Sequence, residues 1–118
     1  MKQLRIILSL VFCISMSLSI TDAAAGESVA SRKVVGVGCH NGDGICFVTL
    51  DGSPFGASLG CAVGASNDFR FDNGDTSIGK RAYASFLAAA LAGKLVSVSL
   101  EGCTSQGYAK LAYFFVSS

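Results

Sequence analysis

Four cysteines, Cys39, Cys46, Cys61 and Cys103, are the residues best placed to do covalent chemistry. They could be redox thiols, zinc ligands or disulfides. No Cys-x-x-Cys pair exists, which removes the usual redox motif. The spacings Cys39-x6-Cys46 and Cys46-x14-Cys61 are not those of zinc fingers, and His40 is the only histidine. Two disulfides are therefore expected. Two other motifs match only on paper. Gly74 to Lys80 fits the phosphate-binding G-x-x-x-x-G-K, but Arg81 stands where a magnesium-binding Ser or Thr is needed. Gly56-Ala57-Ser58-Leu59-Gly60 fits a nucleophile elbow, which requires a strand and a helix of a large α/β sheet and a histidine later in the chain. Here His40 comes before Ser58. Asp68, Asp72 and Asp75 lie near Asn67 and Asn73 but miss the calcium-loop spacing, which leaves turn and capping roles. No nucleophile–base pair stands out, so a non-enzymatic protein without a cofactor is expected.

The compartment follows from the N-terminus. Lys2 and Arg5 precede a mostly apolar run, Ile6 to Ile20, broken by serines, and Ala23-Ala24-Ala25 offers a small-residue cleavage site. That is the pattern of a secretory signal peptide, residues 1–25. The run is short for a membrane span. Cleavage near Ala25 would leave 93 of 118 residues, four of five cysteines, and seven basic against seven acidic side chains. A secreted or periplasmic bacterial protein is expected, with no membrane span in the mature chain. The absence of a basic excess gives no footprint for nucleic acid. One domain is expected at this length, and a chain this small has a limited core, so disulfides would carry a large share of its stability.

The elements that must hold these residues read as follows. Residues 26–33 form a flexible lead-in, and 34–118 a single domain. Val34–Cys39 and Ile45–Asp51 are strands around the turn Asn41-Gly42-Asp43-Gly44. That turn sets Cys39 opposite Cys46, Val37 opposite Val48 and Val35 opposite Leu50, all on one face. A long Gly/Ala/Ser-rich connection, 52–68, holds Phe55 and Cys61. Phe69-Arg70-Phe71 is a short third strand with both rings on one side. Gly79–Ala92 is a helix, its stripe formed by Tyr83, Phe86, Leu87, Ala90 and Leu91. The Ala84, Ala88 and Ala92 face reflects helix propensity, or a smooth surface for a neighbouring backbone. Leu95–Leu100 and Tyr108–Val116 are the last strands, with Ser97 and Ser99 outward. The fold class is mainly β with one helix (α+β), order β-β-β-α-β-β, as in a small five-stranded OB-like barrel.

Several features together resemble a group of small secreted bacterial proteins of largely unknown function. They are the Asn-Gly-Asp-Gly hairpin followed by Cys46 to Gly52, Cys61 with Phe69 to Asp72, Gly79-Lys80 opening a helix that ends Ala92-Gly93-Lys94, and Gly102-Cys103 with Gly107-Tyr108 before an apolar strand. Their layout is similar to the B-subunits of subtilase-cytotoxin and pertussis-like pentameric toxins. The resemblance implies a binding module, with a glycan or protein as ligand. It also implies a homo-oligomer, a pentamer, with Ala84, Ala88 and Ala92 facing its neighbours. Ser31 lies near a sugar-contacting serine of such toxins, followed by Arg32; Phe55 and Tyr108 complete the candidate ligand-binding set. The small secreted group implies Cys61–Cys103, with Cys39–Cys46 as an added hairpin bridge. The toxin subunits imply Cys46–Cys61 with Cys39–Cys103. The hairpin geometry favours the first pairing. The alternative function is an inhibitor or accessory protein that grips a protein partner through the 52–68 loop.

Overall fold

The computed structural model describes residues 26–118; the expected signal peptide lies outside them. Five strands and one helix follow in the expected order. They are β1 (Glu27–Cys39), β2 (Cys46–Leu50), β3 (Asp68–Phe71), α1 (Ser77–Ala92), β4 (Leu95–Cys103) and β5 (Ala109–Ser117). The strands close in the order β1-β2-β3-β5-β4. Every neighbouring pair is antiparallel except β3 and β5, which meet in parallel only at Arg70 and Lys110. Inward residues alternate along the strands: Cys46, Val48 and Leu50 on β2, Phe69 and Phe71 on β3, Val96, Val98 and Leu100 on β4. Two disulfides, Cys39–Cys46 and Cys61–Cys103, tie the fold.

Residues 27–33 are not a flexible lead-in. They are the first half of β1, and Glu27, Ser28 and Val29 pair with Leu100, Ser99 and Val98. Small polar side chains hide a strand whose outer face is meant for solvent. β1 serves two neighbours, β4 with its first half and β2 with its second, so it must bend. The same bend shifts the hairpin register. Cys39 and Val37 pair as expected with Cys46 and Val48, but the register shifts between Val34 and Gly36, and Val34 faces Leu50. A bulge absorbs the extra residue and turns Val35 outward, 63% exposed.

The helix is also rotated from its expected stripe. Its buried row is Gly79, Ala82, Phe86 and Ala89, while Leu87 and Leu91 are exposed, Leu91 at 82%. Small residues around one ring let the helix axis approach the barrel more closely than a leucine stripe would. Thr76 caps the N-terminus by accepting the Gly79 N–H at 3.2 Å, and Gly93 ends the helix with positive φ.

Gly79 sits directly under the Asn73–Gly74 turn, where an added Cβ would overlap the Asn73 carbonyl. Backbone cannot yield as a side-chain tip can. Gly79→Ala should therefore cost about 1–3 kcal/mol by overpacking, despite the roughly 1 kcal/mol that Ala gains in helix propensity. Urea unfolding should show a lower midpoint at unchanged slope. A variant as stable as the parent would refute the close approach.

Candidate functional site

β4 and β5 run side by side, and their outward residues fall in rungs. Ser99 lies opposite Tyr113, and Ser97 opposite Phe115. β1 extends both rungs on the other side of β4: Ser28 pairs with Ser99, and the Ser31 N–H donates to Ser97 Oγ at 3.0 Å. Each rung thus reads serine, serine, aromatic across three strands. Together they line an open groove of about 170 Å³, bounded by Ser28, Ala30, Ser97, Ser99, Tyr113 and Phe115. A closed small-molecule pocket is larger, about 300–1,000 Å³. This groove suits one ring of a ligand that otherwise lies on the surface.

Tyr113 and Phe115 are 60% and 48% exposed, with ring centroids 6.3 Å apart. Aromatic pairs of this size normally bury themselves, and here none of the described residues covers them. Ser31, at the rim, is the sole non-glycine with positive φ among the described residues, at 55°. Such a backbone is held only where its surroundings over-determine it, and it collects near ligand sites. It falls where the β1–β4 register shifts, between Val29 and Arg32.

The other residues of the expected ligand set do not join Ser31. The Arg32 Nη1 donates to the carbonyls of Asp51 and Ser53, at 2.6 and 2.8 Å, and clasps the turn after β2. Phe55 is not a surface contact: it is 6% exposed and packs on Phe69, because its backbone pairs with Ser66 and folds the loop inward. Tyr108 is half-buried, with the Arg70 guanidinium 3.7 Å above its ring. Ala84, Ala88 and Ala92 are all exposed and lie beside Leu87 and Leu91 on the outer side of α1. Cys61 pins the long loop to Cys103 at the end of β4.

The residues with catalytic potential are engaged in local bonds. The Ser58 hydroxyl donates to Glu27 Oε1 at 3.1 Å. The His40 ring meets Asp43 Oδ2 at 3.3 Å in the hairpin turn. The Ile45 N–H, then His40, hold the Asp43 carboxyl below the ordinary carboxylate value. Among the described residues no cluster of three or more His, Cys, Asp or Glu could hold a metal.

Tyr113 and Phe115 were the harder residues to single out by sequence. The run Leu111 to Val116 is apolar throughout, so no alternation betrays which side chains face out. The signal lies on the neighbouring strand: Ser97 and Ser99 are legibly outward, and whatever pairs with them must be outward too. No family model, curated protein or solved structure matches the chain.

Proposed function

We propose that this is a secreted or periplasmic binding module without enzymatic activity, which takes a glycan in the groove of β1, β4 and β5. The observation that carries the reading is the pair of uncovered rings, Tyr113 and Phe115, beside Ser28, Ser97 and Ser99. Sugars present apolar C–H faces to aromatic rings and hydroxyls to polar neighbours. The aromatic shelf offers the apolar face, and Ser28 and Ser99 at its edge offer hydroxyls, while Ser97 is buried with its Oγ accepting the Ser31 N–H. Two disulfides, and no helix among the described residues long and apolar enough to cross a membrane, are compatible with that location.

The module is proposed to act as a ring of copies, like the pentameric toxin B-subunits it resembles. Leu87 and Leu91 beside the smooth Ala84, Ala88 and Ala92 surface form an apolar helix face that the described residues leave uncovered. The alternative, a protein partner held by the 52–68 loop, has less to support it. Phe55, Leu59 and Cys61 of the loop point inward, which leaves Val63 as its exposed large apolar residue.

The test is a glycan array probed with the parent chain and with Tyr113→Ala. Truncating a central aromatic anchor costs about 2 kcal/mol or more in binding, roughly a thirtyfold loss of affinity. The fold should be undisturbed, since an exposed substitution changes stability by about 0.5 kcal/mol at most. Light scattering should give five times the chain mass. No retained glycan, or retention equal in the variant, would end the glycan reading; a monomer would end the ring.

A further inference from the structure

We propose a second binding site on the opposite part of the barrel, an oxyanion receptor centred on Arg70. It shares no residue with the Tyr113–Phe115 groove and stands or falls independently of it. Arg70 is the outward residue of β3, between inward Phe69 and Phe71. Its guanidinium carbon lies over the Tyr108 ring, 3.7 Å from the centroid, with the Phe47 ring centroid 6.0 Å away. Phe47 is held in turn over Gly38, where an added Cβ would come within 2.5 Å of the ring. One guanidinium N–H donates to Gln106 Oε1, and Gln106 Nε2 reaches the His40 ring at 3.4 Å. The cation is therefore fixed in orientation by two aromatic walls and an amide.

What it lacks is an anion. The only ion pair among the described residues is His40 with Asp43. Asp43, whose carboxyl feels the Arg70 charge, has both oxygens engaged: Oδ1 by the Ile45 N–H and Oδ2 by His40. Asp68, two residues before Arg70, accepts from Thr49 Oγ1 at 2.6 Å. Arg70 Nε is shut off from solvent without any acceptor. Its partner on β5 is Lys110, which adds a second positive charge where β3 meets β5. A partly desolvated charge without a partner is costly, and like charges set opposite each other cost more. An oxyanion that accepts from the terminal guanidinium N–H groups on the Lys110 side offsets both charges, while the buried Nε stays out of its reach. The planar fork suits a carboxylate or a sulfate group.

The experiment follows the Arg70 side-chain N–H resonances of the intact protein while chloride is exchanged for sulfate at constant ionic strength. A second titration uses glucuronate, with glucose as its neutral control. Arg81, an exposed arginine on α1, serves as the internal reference. Arg70 should shift saturably while Arg81 drifts linearly. Saturation with sulfate alone identifies a free inorganic anion as ligand; saturation with glucuronate as well identifies an acidic sugar. Arg70→Gln should weaken the interaction by roughly tenfold or more, the effect of losing a charge-assisted bond, and Lys110→Gln by less. If Arg70→Gln does not fold, the parent titration still decides. Linear drift of Arg70 with both anions, or an equal response to glucose, overturns the proposal.

Discussion

Replacing Phe86 with alanine should cost about 3–5 kcal/mol, the range for deleting a fully buried aromatic ring. The ring is 0% exposed. Its centroid is 5.3 Å from that of Phe69, edge-on, and 4.8 Å from that of Phe114. It is the bolt between α1 and the two strands β3 and β5. Removing it loses the transfer energy of the ring, leaves a cavity that rigid strands cannot close, and breaks two aromatic contacts. Small domains have about 5–15 kcal/mol in total, so the variant should approach the limit of folding. Urea denaturation gives the number. The control is Leu91→Ala on the same helix. Leu91 is exposed in the single chain, so the loss should stay within about 0.5 kcal/mol at low protein concentration. A loss at Leu91 that grows as the parent is concentrated would mean that a neighbouring copy covers the helix face. A Phe86 variant as stable as the parent would show that the helix does not pack as described.

The contrast between these two leucine and phenylalanine positions also shows what the sequence can and cannot say. Helical spacing groups Phe86, Leu87 and Leu91 as one stripe, because periodicity weighs hydrophobic residues without regard to size. The fold instead buries the narrow row Gly79, Ala82, Phe86 and Ala89, because close approach needs small residues and hydropathy cannot see that need. Alternation places Val96 and Val98 inward and leaves Ser99 half-exposed, but Ser97 on the outer face is buried, its Oγ taken by the Ser31 N–H. It failed on β5, where every residue from Leu111 to Val116 is apolar, and on residues 27–33, where small polar residues look like a tail. The hairpin was legible through its turn, and Cys39 and Cys46 meet as that turn requires. The register holds through Val37 and Val48 and slips only between Val34 and Gly36, since a bulge at the corner of a closed sheet answers to a third strand. The four candidate ligand residues lie apart: Ser31 beside Ser97, Phe55 in the core, Arg32 on the turn after β2 and Tyr108 under Arg70.

The two disulfides should differ in worth, and the larger one belongs to the pair that sequence spacing could not assign. Cys61 and Cys103 are 42 residues apart in the chain, and Cys39 and Cys46 only 7. In the chain-entropy account, closing the longer loop removes about 4 kcal/mol of freedom from the unfolded state, and the shorter about 2.5 kcal/mol. The long loop encloses β3, α1 and all of β4, elements that must otherwise find each other unaided. The hairpin bridge joins residues that a tight turn already brings together. Cys61→Ala with Cys103→Ala should therefore lower the melting temperature by roughly 15–30 °C for a domain of this size, leaving little folded protein at 37 °C. Cys39→Ala with Cys46→Ala should lower it by less and leave a folded domain. Scanning calorimetry on both double variants measures the difference. Non-reducing peptide maps of each should show the remaining bridge intact. Equal losses would mean that strain or residual order in the unfolded chain outweighs loop length. A greater loss on the hairpin side would mean that the bend of β1 beyond Cys39, and with it the seat of the Ser31 rim, depends on that bridge.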